Sequence, residues 1–489
     1  MMNTAPQIQT AQDYLKESPW LQDKKVSTLL TSVLAGRINF NTLEKELFTI
    51  ARNYLMQMLR AVLEHLDQLI LHSAQREGWE VAGRKERTLE TTLGLLTYSR
   101  RYYKKRTLSG AYAYTFLADE LLGIPPKARV SPRVNELAVL LAAEQTYRKA
   151  AETLDFLGIS ISHETIHRDV QVAGEHLKKW DKETAFDHTG KRIVPLLIIE
   201  ADGTMLKQQR RKRRAKRNFE LKTAVIYEGW TERAKLVNPT YFVYQGKDFW
   251  AALERYLSRI YDLDGCTRII IAGDGAEWIR AGVDRLGAEY QYSRFHLQRE
   301  LTRLFGQSPQ IRHRLEKIFK ANDRTAFHLF LRTLVAEEKD QTRKEKLLAF
   351  KGLIDSVWEG ITDWRDRGRP NPSFARGLGV IEPNVGHTIS RRFKHQGAAW
   401  SFAGADNLAH VRCAKRNGTL VEMLHLPGPP AAALKKLVQN GYWARRLTDG
   451  LPKNDGQWLR ASLPAIYGPE QRSRELALWI GRLTLDWLF

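Results

Sequence analysis

The stretch that decides the fold is IVPLLIIEADG, residues 193–203. A short, nearly continuous apolar run is typical of a strand buried on both faces, and the glycine predicts where the chain turns out of the sheet. We therefore expect Asp202 at a strand end, where side chains face solvent or a ligand. The run RIIIAGDG, residues 268–275, repeats the pattern and ends in Asp274. Two buried strands that each bring an Asp-Gly pair to one sheet edge predict a divalent-metal site.

The sequence around these two runs predicts a mixed α/β sheet. It contains strand patterns at 219–227 and 236–244, a helical pattern at 247–261, the second aspartate strand at 267–272, a helical pattern at 276–286 and a strand pattern at 290–295. This order matches a meander of three strands followed by strands that enter through helical crossovers. Residues 297–367 are helical and strongly charged, which predicts an all-helical insertion. Glu382-Pro383-Asn384 then opens another helix, because proline is well tolerated in a first turn.

Composition and charge narrow the class of protein. The chain has 489 residues, 43% of them apolar, and a formal net charge of +22. No uncharged apolar run reaches about eighteen residues and the first twenty lack the core of a secretory signal, so we expect a cytoplasmic protein. Two cysteines, Cys266 and Cys413, exclude a disulfide framework and a multi-cysteine zinc site. The charge favours a polyanionic partner, nucleic acid first, over a generally basic protein.

The first 106 residues combine a helical pattern with a strand pattern. Between 42 and 79 apolar residues recur at three- and four-residue steps, namely Leu47, Ala51, Leu55, Met58, Val62, Leu66 and Leu69. This stripe suits a dimerising coil or, more commonly, packing on its own domain. Residues 88–103 predict two strands that meet near Gly94. The basic, tyrosine-bearing segment 100–106 suits a phosphate contact or a solvated edge protected by charge.

Residues 146–170 have the pattern of a helix-turn-helix, in which Gly158 makes the turn and Ser162 caps the second helix. If this unit reads DNA, the early residues of its second helix face base edges and phosphates. Those residues are Ser162, His163, Thr165 and Arg168. A purely structural pair of helices is the alternative.

A two-metal site needs a third acid beside Asp202 and Asp274. Two divalent ions about 4 Å apart can activate a nucleophile and stabilise the leaving oxygen of a phosphodiester, and magnesium prefers carboxylate ligands. The candidates are Glu200, Glu277, Glu289 and Glu382. Glu200 points the same way as Asp202 but lies deeper in its strand. We favour Glu382, because its helix follows the insertion and carries several arginines.

Several motifs together resemble one protein family. The chain contains IIEADGTMLKQQ, KRNFELKTAVIYEGW, IAGDGAEWI, FHLQRE and the later block IEPNVGHTISRR…WS…GADNLAHVR. In these runs it resembles bacterial insertion-sequence transposases of the ISLre group, relatives of the Mutator-like DDE transposases. The similarity extends from about residue 80 to about residue 420. It implies an RNase H-like core.

The resemblance also implies particular site residues. A metal-dependent Asp-Asp-Glu triad falls on Asp202, Asp274 and Glu382. The Cys- or Asp-x-x-His element of Mutator-like relatives becomes Ser293-Arg294-Phe295-His296 here, so the histidine is kept and the first residue is replaced. His296 is then a phosphate or scissile-strand contact of the catalytic site, with a packed core histidine as the alternative.

The function that the resemblance implies is a DNA transposase that binds the terminal inverted repeats of an insertion sequence. Water activated at two Mg²⁺ or Mn²⁺ ions would free a 3′-hydroxyl, which would then attack target DNA at the same site. We expect a homodimer or higher oligomer on the DNA of a bacterial nucleoid. The DNA backbone would be held by Arg210, Arg211, Arg213, Arg214, Arg391 and Arg392. The alternatives are an RNase H-like nuclease or resolvase and a non-catalytic DNA-binding derivative of a transposase.

The expected fold class is α/β, with an RNase H-like mixed-sheet core that carries an all-helical insertion. Helical, β-ribbon and helix-turn-helix regions precede this core. The expected regions are an N-terminal helical region (1–80), a β-ribbon region (81–130), a helix-turn-helix region (131–190), the first part of the core (191–296), the insertion (297–375), the second part of the core with the glutamate helix (376–430) and a C-terminal tail (431–489).

Overall fold

Two helices and a three-stranded antiparallel sheet open the computed structural model, which describes residues 23–183, 190–209, 218–246, 248–394 and 397–425. These elements are α1 (Lys24–Leu34), α2 (Phe40–Leu71), β1 (Glu80–Thr91), β2 (Gly94–Arg106), β3 (Tyr112–Thr115) and α3 (Leu117–Leu121). β2 pairs with both β1 and β3. The turn at Gly94 confirms the predicted pair of strands.

One face of α2 packs on the ribbon and the other stays exposed. Leu63 and Ile70 are buried, whereas Phe48, Leu55 and Val62 are between 49% and 65% exposed. The predicted periodicity is therefore confirmed. Packing on its own domain, the commoner outcome for such a stripe, accounts for only part of it.

The arginines of the ribbon lie in the interior. Arg100 Nε donates to Asp119 Oδ2 at 2.7 Å, and Arg101 donates to Asp67 Oδ2 at 2.5 Å. Both guanidinium groups are buried. Neither predicted role, a phosphate contact or a solvated edge, fits these two residues. Their acidic partners come from other elements, so the local pattern of basic residues could not reveal them.

Three helices follow the ribbon and confirm the helix-turn-helix pattern. They are α4 (Pro132–Glu144), α5 (Tyr147–Phe156) and α6 (His163–Glu183). Gly158 turns the chain between α5 and α6 at a φ of +73°, which glycine adopts without strain. Ser162 Oγ accepts the Thr165 N–H at 3.3 Å and so caps α6 as expected.

A five-stranded mixed sheet contains both predicted aspartate strands. Its elements are β4 (Leu197–Lys207), β5 (Asn218–Tyr227), β6 (Thr240–Tyr244), α7 (Phe249–Leu257), β7 (Ile269–Gly273), α8 (Glu277–Leu286) and β8 (Glu289–Tyr292). The strand order is β6-β5-β4-β7-β8. The first three strands are antiparallel, and β7 is parallel to both β4 and β8. The predicted meander followed by helical crossovers is confirmed.

The remaining described elements are helical. The insertion contains α9 (Arg294–Phe305), α10 (Pro309–Ala321), α11 (Arg324–Glu337) and α12 (Gln341–Ser356). It is followed by α13 (Ile381–Val385), a π-helical turn (Gly386–Ser390), α14 (Arg391–Phe393), α15 (Phe402–Arg416) and α16 (Leu420–His425). The last strand ends at Tyr292, earlier than expected, because α9 begins at Arg294. None of the described helices is long and apolar enough to cross a membrane.

The sheet separates two hydrophobic cores. The face with Ile198, Tyr227 and Ile270 packs against residues of α4 to α6 and α13 to α16. The opposite face packs against α7, α8 and the insertion. Because side chains alternate along a strand, Asp202 projects from the same face as Ile198. This is the face that Ile381, the first residue of α13, helps to bury.

Candidate functional site

Asp202 and Asp274 lie where the two central parallel strands stop pairing. The last pair between β4 and β7 joins Glu200 to Ala272. Asp202 lies two residues beyond this pair, and Asp274 directly follows β7. The predicted meeting of the two aspartates at one end of the sheet is therefore observed.

The predicted strand end after Asp202 is wrong. β4 continues to Lys207 because β5 keeps supplying ladder partners, with Thr223 opposite Asp202. Gly203 does not turn the chain; a Cβ there would collide with the Glu220 side chain, so glycine makes room for that carboxylate. Asp202 is thus held on a paired strand, which fixes its backbone more firmly than a turn would.

His296 joins the two aspartates. One potential ligand atom from each of Asp202, Asp274 and His296 lies within 4.8 Å of the others. The Ser293 N–H donates to the Gly273 carbonyl at 2.8 Å, which ties the start of α9 to the end of β7. The His296 side chain is buried, and its Nδ1 has no hydrogen-bond partner among the described residues. A buried imidazole with one ring nitrogen within 4.8 Å of both carboxylates fits a metal ligand.

Glu382 reaches this cluster through the histidine. Its Oε1 lies 3.5 Å from His296 Nε2. The four sequence-predicted catalytic residues therefore converge from β4, the end of β7, α9 and α13. The tightest group of three contains His296 in place of Glu382, a difference from the expected ligand set.

The other candidate acids are engaged elsewhere. Glu277 is exposed in the first turn of α8. Glu289 accepts hydrogen bonds from Arg268 through both carboxylate oxygens, each at 2.8 Å. Glu200 is buried and accepts hydrogen bonds from Tyr227 and from the backbone that begins α13. Burial raises the pKa of Glu200, and these donors oppose that shift.

Burial and like charge shift the protonation equilibria of the cluster. Burial raises the pKa of Asp202, and the charge of Asp274 raises it further. Burial also raises the pKa of Glu382, with Asp202 adding to the effect. Burial lowers the pKa of His296, and Arg299 acts in the same direction. A divalent cation would favour the ionised carboxylates and the neutral imidazole, so the donor set fits Mg²⁺ or Mn²⁺.

Two basic side chains near the cluster affect the pKa values of its acids. Arg299 lies three residues after His296 on α9 and opposes the raised pKa of Glu382. Lys394 follows α14 and opposes the raised pKa of Asp202. The sequence reasoning missed Arg299, although its helical spacing from His296 was a usable signal. Both side chains favour an anion at this position.

The predicted DNA-reading residues occupy the N-terminal end of α6. Ser162 and Arg168 are exposed, and His163 and Thr165 are partly exposed. The Thr165 hydroxyl lies 3.2 Å from Ser162 Oγ, and His163 Nε2 lies 3.0 Å from the Glu164 carboxylate. Arg168 is therefore the most open cation of this set.

Of the six arginines predicted to hold the DNA backbone, the structure describes two, Arg391 and Arg392. Arg391 is exposed, whereas Arg392 is buried, donates to the Ala142 carbonyl at 3.3 Å and lies over the Tyr147 and Trp400 rings. This burial contradicts a DNA contact for Arg392. The two arginines differ in exposure because consecutive residues of a helix face different directions. Four further predicted contacts lie outside the described residues, namely Arg210, Arg211, Arg213 and Arg214.

The fold and the site define an α/β protein with an acidic, histidine-containing cluster at one end of a mixed sheet. The chain belongs to UPF0236, an uncharacterised protein family whose model matches residues 33–426. It is 28% identical over 437 residues to a UPF0236 protein in the vanSb 3′ region of Streptococcus gallolyticus, an alignment that covers 85% of this chain and 93% of that protein. A UPF0236 protein of Caldanaerobacter subterraneus subsp. tengcongensis is 26% identical over 404 residues, which is 81% of this chain and 82% of its own length.

The chain is also similar to solved structures. One of them is the Drosophila P element transposase strand transfer complex, with 10% sequence identity over 62% of this chain and 82% of that chain. The TM-score is 0.21, which is too low to assign a shared fold.

Proposed function

We propose that the protein is a DNA transposase that cleaves and joins DNA at the cluster formed by Asp202, Asp274, Glu382 and His296. The observation that carries the proposal is the convergence of these four residues at one sheet end. The strand order β6-β5-β4-β7-β8, with the insertion between β8 and the glutamate helix, supports an RNase H-like core. The separate helix-turn-helix favours a transposase over a plain nuclease.

The number of gene copies of a relative supports the same proposal. The name of the Caldanaerobacter protein joins eleven locus names of one strain. A gene present at many places in one genome fits a mobile element. The net charge of +22 fits a DNA partner in addition.

We propose that the cluster holds two Mg²⁺ or Mn²⁺ ions. Bound ions would supply a water or hydroxyl of lowered pKa and would neutralise charge on the scissile phosphate. Asp202, Asp274 and Glu382 supply the carboxylate oxygens, and His296 supplies a nitrogen. Glu382 Oε1 lies 3.5 Å from His296 Nε2, so this carboxylate could also orient the imidazole. Arg299 and Lys394 would orient the phosphodiester by its charge.

We further propose that α6 reads the terminal inverted repeats with Ser162, His163, Thr165 and Arg168. Arg391 and the basic run at 210–217 would hold the DNA backbone. The proposed assembly is a homodimer or higher oligomer on bacterial chromosomal DNA. In this proposal the helix-turn-helix region (131–190) precedes a catalytic core (191–296 and 376–430) that is divided by the helical insertion (297–375).

The test compares Asp202→Asn with Asp284→Asn, which removes the same charge from an exposed position on α8. We expect Asp202→Asn to abolish Mg²⁺-dependent cleavage of element ends while end binding stays at the wild-type level. Asp284→Asn should keep both. Retained cleavage by Asp202→Asn would refute the assignment of the site. Cleavage by the wild-type protein without joining of pre-cut ends would indicate a nuclease instead.

A further inference from the structure

Glu200 occupies an unusual place for a carboxylate, in the interior of the sheet. It lies two residues before Asp202 on β4 and is 1% exposed. Its Oε1 accepts the Tyr227 hydroxyl at 2.6 Å and the Gly379 and Val380 N–H groups at 3.2 Å each. Its Oε2 accepts the Ile381 N–H at 3.1 Å. Four donors therefore surround one buried side chain.

The hydrogen bonds to Glu200 offset the unfavourable free energy of burying its carboxylate. A buried carboxylate is strongly disfavoured unless hydrogen bonds replace its hydration. Here three consecutive backbone N–H groups do so, at the start of α13, where helical N–H groups otherwise lack partners. The negative charge also suits the N-terminal end of a helix.

The contact joins two segments that are distant in the chain. The three N–H groups belong to residues 179 to 181 positions after Glu200 and follow the whole helical insertion. Ile381, the last of them, is covalently bonded to Glu382. The strand that carries Asp202 is thereby linked to the helix that carries Glu382.

We propose that Glu200 is a positioning residue that sets the place of Glu382 relative to Asp202 and Asp274, and so the affinity of the cluster for divalent metal. This inference rests on the proposed function, because it takes the cluster to be a metal site. Glu200 itself binds no metal in this scheme. Its effect passes through the backbone of residues 379–381 to the neighbouring Glu382 side chain.

The first test is Glu200→Gln, measured by Mn²⁺ binding to the full chain with electron paramagnetic resonance. The three backbone N–H groups that contact Glu200 can only donate hydrogen bonds. The NH₂ group of glutamine would therefore face at least one of them without an acceptor and would displace the start of α13. We expect Mn²⁺ affinity to fall roughly 10- to 100-fold, the range seen for residues that orient metal ligands. The metal concentration for half-maximal cleavage should rise by the same factor, while binding of DNA ends is unchanged.

A second pair of variants tests the same idea without altering Glu200. Tyr227→Phe removes one hydrogen bond to Glu200. Tyr98→Phe is its matched control, because the buried Tyr98 hydroxyl likewise donates to a buried carboxylate, that of Asp119, at 3.0 Å in the ribbon. We expect Tyr227→Phe to weaken Mn²⁺ binding several-fold and Tyr98→Phe to leave it unchanged. This comparison decides the matter even if Glu200→Gln does not fold.

The outcomes separate this inference from the proposed function. Loss of Mn²⁺ binding in Asp202→Asn, together with wild-type Mn²⁺ affinity in a folded Glu200→Gln or in Tyr227→Phe, would overturn the positioning role and leave the metal site standing. Wild-type Mn²⁺ affinity in Asp202→Asn would remove the metal site itself. Equal losses in Tyr227→Phe and Tyr98→Phe would show a general effect of stability and would also overturn the positioning role.

Discussion

The Asp202 carboxyl group lies where folding and metal binding make opposite demands. Burial and the charge of Asp274 raise its pKa, so the folded chain binds a proton there more tightly than the unfolded chain. The free energy of unfolding therefore falls as pH rises from the ordinary carboxyl value through the raised folded value. Without a divalent ion, the ionised cluster at neutral pH is a source of instability.

The first prediction follows from this opposition. In a metal-free buffer at pH 7, Asp202→Asn should raise the melting temperature by roughly 2–4 °C, about what 1 kcal/mol gives in a large domain. Addition of Mn²⁺ should then stabilise the wild-type protein and not the variant. Thermal unfolding with and without Mn²⁺ measures both effects, with Asp284→Asn as the control. A melting temperature lowered by Asp202→Asn would contradict the argument.

The pH dependence of metal affinity gives a second prediction. Ion binding requires Asp202 and Glu382 in their ionised forms, and the pKa of each is raised, chiefly by burial. Mn²⁺ affinity should consequently decline on acidification at a higher pH than isolated carboxylates would give. Burial lowers the pKa of His296, so protonation of the imidazole should compete with the metal at a lower pH than an ordinary histidine would. Titration calorimetry at a series of pH values from the ordinary carboxyl range up to neutrality would measure the profile, and a flat profile would contradict the assignment.

Among individual residues, the acidic site residues could be predicted from the sequence, whereas the groups that contact them in the fold could not. Asp202 and Asp274 could be predicted because buried strands leave few places for a carboxylate. Glu200 was considered only as a possible ligand, since a strand pattern does not show that a distant loop donates three N–H groups to it. The basic neighbours of Arg392 predict a DNA contact, whereas the folded chain places its guanidinium near the Tyr147 and Trp400 rings.

Among the elements, α6 differs between its two ends. Its N-terminal residues are exposed, while Gln171, Gly174 and Lys178 contact α15. A Cβ at Gly174 would lie 2.6 Å from the Asn407 backbone, so glycine permits this close helix packing. The exposed N-terminal end of α6, which we propose contacts DNA, therefore belongs to a helix that packs closely on the core containing the cluster.

A third prediction concerns this reading end. The Arg168 side chain is 68% exposed and lies 3.9 Å from Asp169, which leaves it available for a phosphate. Arg168→Ala should weaken binding of element ends and reduce the salt dependence of the binding constant by about one ion. Arg343→Ala, at a 51% exposed arginine of the insertion, is the control. Equal losses in both variants would indicate unspecific charge attraction in place of a contact at α6.

Element boundaries were predicted less well than element order. The order of strands and helices in the sheet followed from apolar periodicity, which reports what is buried. The end of β4 did not, because Asp-Gly is typical of turns and only the pairing with β5 extends the strand to Lys207. A pattern within one segment does not record the partner that a neighbouring strand provides.

At the scale of the whole molecule, the exposed stripe of α2 bears on assembly. Phe48, Ala51, Leu55, Met58 and Val62 follow one another at alternating steps of three and four residues, the spacing of a coiled-coil seam. All five are exposed, and none carries a charge. A second copy of the chain presents an identical seam, and these five side chains would place no like charges directly opposite each other.

The fourth prediction tests that assembly. If the proposed dimer forms through this seam, Leu55→Glu should convert it to a monomer in sedimentation velocity, because two charges would face each other across the seam. Leu329→Glu, at a 58% exposed leucine of the insertion, should leave the mass unchanged. Joining of two element ends should fall with the loss of the dimer, while binding of a single end persists. A wild-type protein that stays monomeric at all concentrations would contradict the seam.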